Sequence, residues 1–199
     1  MIVAVVLSAG ESSRMGRPKA LLPIEGKTFI EAIVAALRRS KVGEIIVILG
    51  HNADEMKSRI EHLPIKILIN RDYPSGQLSS LQVAIRHVMA TPAAAAIDGM
   101  LVHLVDHPYV DPALVDRMIE SFYGSQKLIV LPRYRSHRGH PVIFSASLFG
   151  ELLQAPMDQG AKAVVNRHRN DTLEIETDDA GVTIDIDTPE EYRQHVKEE

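Results

Sequence analysis

The residues with the greatest chemical potential lie in the first turn of the chain, between Leu7 and Lys19. This turn is rich in glycine and serine, and it carries basic residues that include Arg14 and Lys19. It follows the unbroken apolar run 2–7, which is typical of a parallel strand buried on both faces. Backbone N–H groups and cations at the carboxyl end of such a strand bind anions. We therefore expect a nucleotide phosphate to bind in this loop.

The glycine spacing in the loop excludes two common phosphate-binding motifs. Gly10 and Gly16 are six residues apart without a third glycine in register, so the dinucleotide-binding pattern G-x-G-x-x-G is absent. Lys19 follows Gly16 by three residues, whereas the lysine of a P-loop comes directly after glycine. On composition alone, a Gly/Ser turn with solvated basic residues is the alternative interpretation.

A second candidate binding segment lies at the start of a predicted helix. Pro74–Gly76 has turn chemistry, so Ser79 and Ser80 fall in the first helical turn after it. Free N–H groups and small hydroxyls at this place could bind a base or a ribose. Serine at a helix start more often acts only as a cap, and this alternative stays open. The apolar face of the helix comprises Leu78, Leu81, Ile85 and Val88.

One carboxylate follows the predicted central strand Met100–Val105. Asp106 stands at the carboxyl end of this strand, in the crevice where parallel sheets bind ligands. Pro108 fixes the backbone just after it, and Asp111 followed by Pro112 predicts the start of another helix. The alternative is that Asp106 only caps a turn.

Two further carboxylates, Asp185 and Asp187, lie near the carboxyl end of the chain. The alternation within 182–187 predicts a short strand that ends at these aspartates and places both on one face. At least one of them could join Asp106 at a divalent cation, because Mg²⁺ needs only one or two protein carboxylates beside phosphate oxygens and water. A role in helix capping is the alternative.

A basic connection lies between the predicted strands 127–131 and 141–144. It contains five arginine or histidine residues within the eight positions 133–140, which would suit an acceptor that carries a phosphate. We expect the connection to overhang the site as part of a β-ribbon. A solvated turn is an equally good interpretation of the individual residues.

The elements around these residues alternate between strands and helices, which indicates a parallel sheet covered on both faces. We predict an α/β fold with three layers, α/β/α, and a Rossmann-like, mixed but mostly parallel sheet. Capping boxes at Thr28 with Glu31 and at Thr188 with Glu191 mark two helix starts. The further predicted strands are Glu44–Leu49 and Ile65–Ile69, and the further predicted helices lie near 53–61, from 147 and over 160–168.

Length and composition favour a single domain over residues 1–199, without a membrane or a nucleic-acid partner. No apolar stretch approaches the roughly 20 residues of a membrane-spanning helix, and we expect the first apolar run to be a core strand rather than a signal peptide. The net charge of −4 disfavours nucleic-acid binding. The chain has no cysteine, which excludes disulfides and thiolate chemistry and fits a cytoplasmic location.

Three of these segments resemble, in the same order, the motifs of a known enzyme family. The first loop is similar to the nucleotidyltransferase signature L-x-A-G-x-S-x-R-M-G-x-x-K-x-L-x-P, the turn at Asp106 to a D-x-P element, and 185–191 to a D-x-D-T-P-E-[DE] element. The chain therefore resembles the MobA-like nucleotidyltransferases with the nucleotide-diphospho-sugar transferase fold, and most closely the molybdenum cofactor (molybdopterin) cytidylyltransferases. Ser8, where the family more often has alanine, leaves room for another acceptor. The matched signature positions are Leu7, Ala9, Gly10, Ser12, Arg14, Met15, Gly16, Lys19, Leu21 and Pro23.

The resemblance implies a role for each candidate residue. Lys19 would neutralise the α-phosphate and the transition state, and Arg14 with the loop amides would bind the departing pyrophosphate. Asp106 would bind Mg²⁺ together with Asp185, the usual second ligand in relatives, although the spacing does not exclude Asp187. The nucleotide-binding residues in the N-terminal part would be Leu7, Ala9, Gly10, Ser12, Ser13 and Gly16, with Gly76, Ser79 and Ser80 at the nucleobase. The acceptor-binding residues, within roughly 125–170, would be Arg138, Gly139, His140 and Pro141.

The implied reaction is the Mg²⁺-dependent transfer of a nucleoside monophosphate from CTP to the phosphate of a molybdopterin-type cofactor, with release of pyrophosphate. Three alternatives stay open: a guanylyltransferase that uses GTP, a sugar- or alditol-phosphate nucleotidyltransferase, and a non-catalytic cofactor chaperone. Lys19 and Asp106 argue against the chaperone. A molybdoenzyme or its chaperone is the protein partner to consider. The sequence leaves the base, the acceptor and the oligomeric state undetermined.

Overall fold

The sheet is built around β1 (Ile2–Ser8), in which Ile2 to Leu7 are all buried. In the computed structural model, which describes residues 1–196, the parallel strands β4 (Ile45–Leu49) and β6 (Gly99–Leu104) flank β1 on its two sides. β5 (Lys66–Ile69) extends the parallel arrangement beyond β4. The prediction of a strand buried on both faces is confirmed, because β1 lies in the middle of the sheet.

The other half of the sheet mixes strand directions. β9 (Val142–Ser145) runs antiparallel to both β6 and β7 (Ile129–Tyr134), and β10 (Thr172–Thr177) runs parallel to β7 at the edge. β8 (His137–Arg138) pairs with the end of β7. The strand order is β10-β7-β9-β6-β1-β4-β5, so the sheet is mixed and mostly parallel, as predicted.

Helices cover both faces of the sheet and complete the predicted three layers. Within the described residues they are α1 (Phe29–Arg38), α2 (Ala53–Ile60), α3 (Gln77–Ala90), α4 (Pro112–Gly124), α5 (Phe149–Leu153), α6 (Lys162–Arg167) and α7 (Pro189–His195). α1, α2 and α4 contribute to the core on one face, and α3, α5 and α6 to the core on the other. None of these helices is long and apolar enough to cross a membrane.

α7 packs near the first loop, in a small cluster separate from the two main cores. Its Tyr192 lies against Phe29, with ring centroids 6.1 Å apart, and donates a hydrogen bond of 2.6 Å to the Pro23 carbonyl. Pro23 belongs to a short antiparallel ribbon of β2 (Pro23–Ile24) and β3 (Lys27–Thr28). The predicted capping boxes at the starts of α1 and α7 are both formed, so the local sequence fixes where α7 begins.

The prediction of a strand over 182–187 is wrong. A 3-10 turn spans Ala180–Thr183, and residues 184–187 pair with no strand of the described chain. The N–H groups of this segment have other acceptors: Ile186 donates to the Asp106 carbonyl (2.9 Å) and Asp187 to the Glu191 carboxylate (2.8 Å). The edge of the sheet is formed instead by β10, which the sequence analysis does not predict.

Gly50, directly after β4, approaches the first loop too closely for a side chain. A Cβ atom on Gly50 would lie 2.6 Å from the Ala9 carbonyl oxygen and 2.6 Å from Cβ of Tyr73. We expect Gly50→Ala to lower the free energy of unfolding by about 1–3 kcal/mol, measured by urea denaturation, because overpacking strains the backbone. Gly150→Ala is the control, since a Cβ there meets nothing within 4 Å and alanine favours the helix. A wild-type urea midpoint for Gly50→Ala would contradict this account.

Candidate active site

The first loop, the turn after β6 and the start of α3 meet at the carboxyl ends of the parallel strands. They enclose a cleft of about 240 Å³, called here the nucleotide cleft. Its lining includes most of the predicted nucleotide residues, and Ser13, Arg14, Gly16 and Ser79 lie outside it. The predicted residues that line it are Leu7, Ala9, Gly10, Ser12, Lys19, Gly76, Ser80 and Asp106.

The nucleotide cleft also has polar lining residues that the sequence analysis does not name, among them His51, Asn52 and Tyr73. The His51 N–H donates to the Ala9 carbonyl (3.1 Å), and His51 Nδ1 lies 3.3 Å from the Tyr73 hydroxyl. Asn52 has a left-handed backbone conformation, with φ 49°. Their position in the sequence could have indicated a place in the site, because His51 and Asn52 follow a buried parallel strand in the same way that Asp106 does.

Ser12 determines the shape of the first loop. Its backbone is left-handed (φ 53°), and its carbonyl accepts hydrogen bonds from the N–H groups of Met15 (3.0 Å) and Gly16 (3.1 Å). Its hydroxyl accepts a further bond of 3.2 Å from the Lys19 N–H. These bonds close the loop on itself and bring the Lys19 side chain to the cleft. A contact of Ser12 with the nucleotide stays a prediction.

Lys19 lies between two carboxylates that come from distant parts of the chain. Its Nζ is 3.3 Å from Asp106 Oδ2 and forms an ion pair with Asp187 Oδ1. Arg14 Nη2 is 2.6 Å from the other carboxylate oxygen of Asp187. The Lys19 side chain is 11% exposed, whereas that of Arg14 is 67% exposed, so Lys19 is the cation held inside the site.

The protonation of Asp187 follows from these contacts. Burial raises the pKa of the Asp187 carboxyl, but the hydrogen bonds and charges of Lys19 and Arg14 outweigh burial and hold this pKa below its usual value. Asp187 is therefore an anion at neutral pH. Two carboxylates, Asp106 and Asp187, thus face two cations, Lys19 and Arg14, in one charge-balanced group.

The carboxylates are suited to a divalent cation. Oδ1 of Asp106 is buried and has no hydrogen-bond donor among residues 1–196. Carboxylate oxygens are the ligands that Mg²⁺ and Mn²⁺ prefer. Within the same residues, no group of three or more His, Asp or Glu side chains could hold a metal. A cation beside Asp106 would therefore take further oxygen ligands from substrate and water.

Asp185 differs from Asp187 in its surroundings. Asp187 shares Lys19 with Asp106, whereas the side chain of Asp185 is exposed. Its carboxylate does act on His107: burial lowers the pKa of His107, and Asp106 and Asp185 oppose this shift. The geometry thus places Asp187, rather than Asp185, in the ion-pair group with Asp106.

Ser79 and Ser80 share a buried partner but face different surroundings. The Asn70 side-chain amide donates to the hydroxyls of Ser79 (2.8 Å) and Ser80 (3.0 Å). The Ser79 hydroxyl is also within hydrogen-bond distance of the carbonyls of Asp72 and Gly76, so its bonds hold the loop before α3. Ser80 lines the nucleotide cleft, and its contact with a nucleobase stays a prediction.

A second cavity of about 380 Å³ adjoins the nucleotide cleft, and we call it the acceptor chamber. The two cavities share Leu7, Gln77 and Leu104. The chamber's apolar lining comes from α3 and from the sheet, and its polar lining includes three residues that the sequence analysis does not name, Gln159, Lys162 and Asn166. The predicted acceptor residues Arg138, Gly139 and His140 line it as well, whereas Pro141 is buried outside its lining.

Arg138 is not a free cation in the chamber. Its Nε and Nη2 lie 2.8 Å and 2.5 Å from one carboxylate oxygen of Glu174 on β10. Arg133 also pairs with this carboxylate, at 3.4 Å. The sequence analysis expected the basic connection to bind an acceptor phosphate. It did not anticipate the Glu174 carboxylate, because it did not predict β10. For Lys162, in contrast, no carboxylate of residues 1–196 lies within ion-pair distance.

Three histidines form a largely buried group next to the Asp106 turn, called here the imidazole cluster: His103, His107 and His140. Their ring centroids are 4.9 to 6.4 Å apart. Burial, followed by the effect of the neighbouring rings, lowers the pKa of His103 to about 3 and that of His140 to about 4. These two rings are therefore neutral at neutral pH.

Comparison with known proteins gives a family and full-length relatives. Residues 4–172 match the family described as MobA-like NTP transferase domain. Nicotine blue oxidoreductase of Paenarthrobacter nicotinovorans is 30% identical over 202 residues, which cover 96% of this chain and 95% of that protein. Molybdenum cofactor cytidylyltransferase of Escherichia coli K12 is 27% identical over 193 residues, which cover 96% of this chain and 93% of that protein.

A solved structure supports the same relationship. Rv0371c of Mycobacterium tuberculosis H37Rv superposes with a TM-score of 0.85 at 31% identity, covering 99% of this chain and 97% of that one. A second structure of Rv0371c is a complex with manganese, and it superposes with a TM-score of 0.81 at 29% identity, covering 100% and 99% of the two chains.

The neutral imidazole cluster makes the fold sensitive to acid. The unfolded chain protonates His103 below pH 6.5, whereas the folded chain protonates it only near pH 3. Between these two pH values, the free energy of unfolding therefore falls by about 1.4 kcal/mol for each unit that the pH decreases. When the pH is lowered from neutral to about 5, we expect the free energy of unfolding of His103→Leu to fall by about 2 kcal/mol less than that of the wild type, as measured by urea denaturation. His137→Gln, at an exposed position, is the control. Equal acid slopes for His103→Leu and wild type would contradict this assignment.

Proposed function

Since the chain belongs to the MobA-like NTP transferase family and is a nucleotidyltransferase with the nucleotide-diphospho-sugar transferase fold, we propose that it transfers CMP from CTP to the phosphate of a molybdopterin-type cofactor. Pyrophosphate is the second product. The observation that carries the proposal is the junction of two unlike cavities. The cleft that holds Lys19 and Asp106 adjoins, at Leu7, Gln77 and Leu104, a chamber with a more apolar lining.

The nucleotide cleft supplies positive charge where the triphosphate would lie. Lys19 binds the α-phosphate and the charge that develops on it, and the N–H groups of the first loop receive the other phosphates. Arg14, which is mostly exposed, reaches the departing pyrophosphate from outside the cleft. Ser80 and Gly76 lie at the start of α3, where a nucleobase can be contacted.

Asp106 and Asp187 are the residues that would hold a divalent cation, and Mg²⁺ is the proposed ion. The unsatisfied Oδ1 of Asp106 supports this choice, as does the manganese complex of the similar Rv0371c. When bound, the cation neutralises phosphate charge and polarises the α-phosphoryl group. Lys19, which pairs with both carboxylates in the structure, would then be available to phosphate oxygens.

The lining of the acceptor chamber favours a flat heterocycle over a polyol. Leu131, Val142 and Phe144 form apolar walls. Against these walls, each alditol hydroxyl without a partner would cost about 1–3 kcal/mol. The faces of a pterin-type ring can pack on aliphatic carbon, while its polar edge reaches Gln159, Lys162 and Asn166. Sugar and alditol phosphates are therefore less favoured acceptors in our proposal than a molybdopterin-type cofactor.

The reaction needs little acid–base help. A phosphate monoester has a second pKa of about 6 and is largely a dianion at neutral pH, so it attacks the α-phosphorus without a strong general base. The new P–O bond forms as the bond to the β-phosphate oxygen breaks, and pyrophosphate leaves with that electron pair. Catalysis therefore consists of alignment and charge neutralisation by Lys19, Arg14 and the loop amides.

The decisive experiment measures pyrophosphate release with CTP, GTP, ATP or UTP, with Mg²⁺, and with or without molybdenum-loaded molybdopterin. Release with CTP only in the presence of the cofactor, and a cytidine dinucleotide product by mass spectrometry, is the expected result. A preference for GTP would move the enzyme to the guanylyltransferases. Release with erythritol or sorbitol phosphate, but not with the pterin, would refute the acceptor assignment.

A redox activity is the second candidate, because nicotine blue oxidoreductase shares 30% identity over nearly the whole chain. The same protein preparation is therefore incubated with NADPH and a quinone-type heteroaromatic dye, without nucleoside triphosphate. Oxidation of NADPH that survives Lys19→Ala, together with silence in every pyrophosphate assay, would favour this candidate over CMP transfer.

Lys19 and Asp106 are expected to be essential for turnover and dispensable for folding. Lys19→Ala and Asp106→Ala should each lower kcat by roughly 10²–10³-fold, since each removes charge stabilisation from the transition state. The urea midpoint should stay near the wild-type value. Lys57→Ala, at an exposed position on α2, is the matched charge control. Near-wild-type turnover in either site variant would remove that residue from the mechanism.

Asp187 and Asp185 can be separated by metal titration. Asp187→Asn should raise the Mg²⁺ concentration for half-maximal turnover by at least the roughly 10–100-fold typical when support for a bound metal is lost. Asp185→Asn, at the exposed position, should shift it far less. The opposite ranking would make Asp185 the second ligand, as the family resemblance suggests.

A further inference from the structure

His103 is a polar residue in an otherwise apolar strand. It lies in β6 between Val102 and Leu104, and its relative exposure is 0%. Burying an imidazole costs free energy unless its polar atoms are bonded, and Nδ1 of His103 has no partner among residues 1–196. A leucine or valine would fill this core position without that cost, so the position calls for an explanation beyond packing.

The other ring nitrogen of His103 makes one short hydrogen bond. Nε2 lies 2.7 Å from the carbonyl oxygen of His107, and it is the donor because a carbonyl can only accept. This side-chain bond spans the turn that follows His103. A backbone hydrogen bond of 3.2 Å from the His107 N–H to the Leu104 carbonyl closes the same turn. Asp106 lies inside this doubly closed turn.

The same turn positions the second carboxylate of the site. The Asp106 carbonyl accepts a 2.9 Å hydrogen bond from the Ile186 N–H, one residue before Asp187. Ile186 is fully buried, so this contact fixes the 184–187 segment on the turn. A shift of the turn would therefore move both carboxylates that share Lys19.

We propose that His103 is a positioning residue for the nucleotidyl transfer. It holds the Asp106 turn in the position from which Asp106 and Asp187 could bind the same divalent cation. The inference rests on the proposed function, and it concerns the hydrogen bond from His103 to the His107 carbonyl rather than proton transfer. His103 lines neither the nucleotide cleft nor the acceptor chamber. It acts through the backbone that carries Asp106 and, through Ile186, Asp187.

His140 supports the same turn from the acceptor side. Its ring centroid lies 4.9 Å from that of His107 and 6.4 Å from that of His103. The backbone N–H of His140 donates to the Val182 carbonyl at 2.8 Å. The imidazole cluster thus connects the Asp106 turn with the segment around His140, and the backbone of His140 bonds to the segment that leads to Asp187.

The test compares variants of His103 that differ in one hydrogen-bond donor. His103→Gln keeps a side-chain N–H that can reach the His107 carbonyl, whereas His103→Leu and His103→Met fill the core without a donor. We expect the donor-free variants to lower kcat by about 10–100-fold, because misplacement by 1 Å can cost 100-fold. KM for CTP should change little, and His103→Gln should recover most of kcat.

A second readout needs neither the acceptor nor turnover. Mn²⁺ is titrated into each variant in the presence of CTP, and bound ion is measured by electron paramagnetic resonance. His103→Leu should weaken Mn²⁺ binding by about 10-fold or more, comparable to the loss of an outer-shell partner, and His103→Gln should restore it. This result stands even if molybdopterin proves to be the wrong acceptor.

Two outcomes would overturn the proposal. Equal kcat and Mn²⁺ affinity in wild type and the donor-free variants would make His103 a core residue only. Equal losses in His103→Gln and His103→Leu, in step with their urea midpoints, would assign the effect to stability. If His103→Leu does not fold, the comparison of His103→Met with His103→Gln decides between these outcomes.

Discussion

The site depends on a lysine held between two carboxylates that would otherwise repel each other. Asp106 and Asp187 are both partly shielded from water, and Lys19 forms ion pairs with each. Ser12 closes the first loop and thereby positions Lys19. Hydrogen bonds fix the turn after β6 that carries Asp106. The capping box of α7 fixes where that helix begins, directly after Asp187. In our proposal Asp106 and Asp187 would hold a divalent cation, and Lys19 would then be available to phosphate oxygens.

Much of the fold could be predicted from the sequence because its signals are local. The apolar run of β1 and the capping boxes of α1 and α7 act within a few residues, and each is found where it was expected. The wrong strand over 182–187 had part of its alternation right, since Ile186 is buried and Asp185 exposed, but Asp187 is partly buried among Lys19 and Arg14. Alternation reports which side chains are buried, but pairing requires a free neighbouring strand, and the backbone donors of this segment bond to Asp106 and Glu191 instead.

The site was predictable where one short segment supplies both the residue and its position. Lys19 and Asp106 line the nucleotide cleft as expected. The prediction was weaker where distant elements decide, since β10 brings Glu174 to Arg138 and neutralises the cation that had suggested an acceptor phosphate. In the same way, Asn70 uses the Ser79 hydroxyl for the loop before α3. Residue types alone do not reveal such partners, because the partners depend on how remote segments pack.

This division explains why the family can be read from the chain more easily than the acceptor. The nucleotide half is built on the first loop and the Asp106 turn, whose sequence patterns are continuous and therefore recognisable. The acceptor chamber is assembled from α3, β6, β7, β9 and α6, so its chemistry arises from contacts between residues far apart in sequence. A scaffold of this kind can keep its nucleotide loop while changing the chamber, and fold alone does not fix the reaction. Consistent with this, a relative named as a molybdenum cofactor cytidylyltransferase and one named as a nicotine blue oxidoreductase both align with nearly the whole chain. Our proposal of a flat acceptor therefore rests on the apolar walls of the chamber more than on any motif.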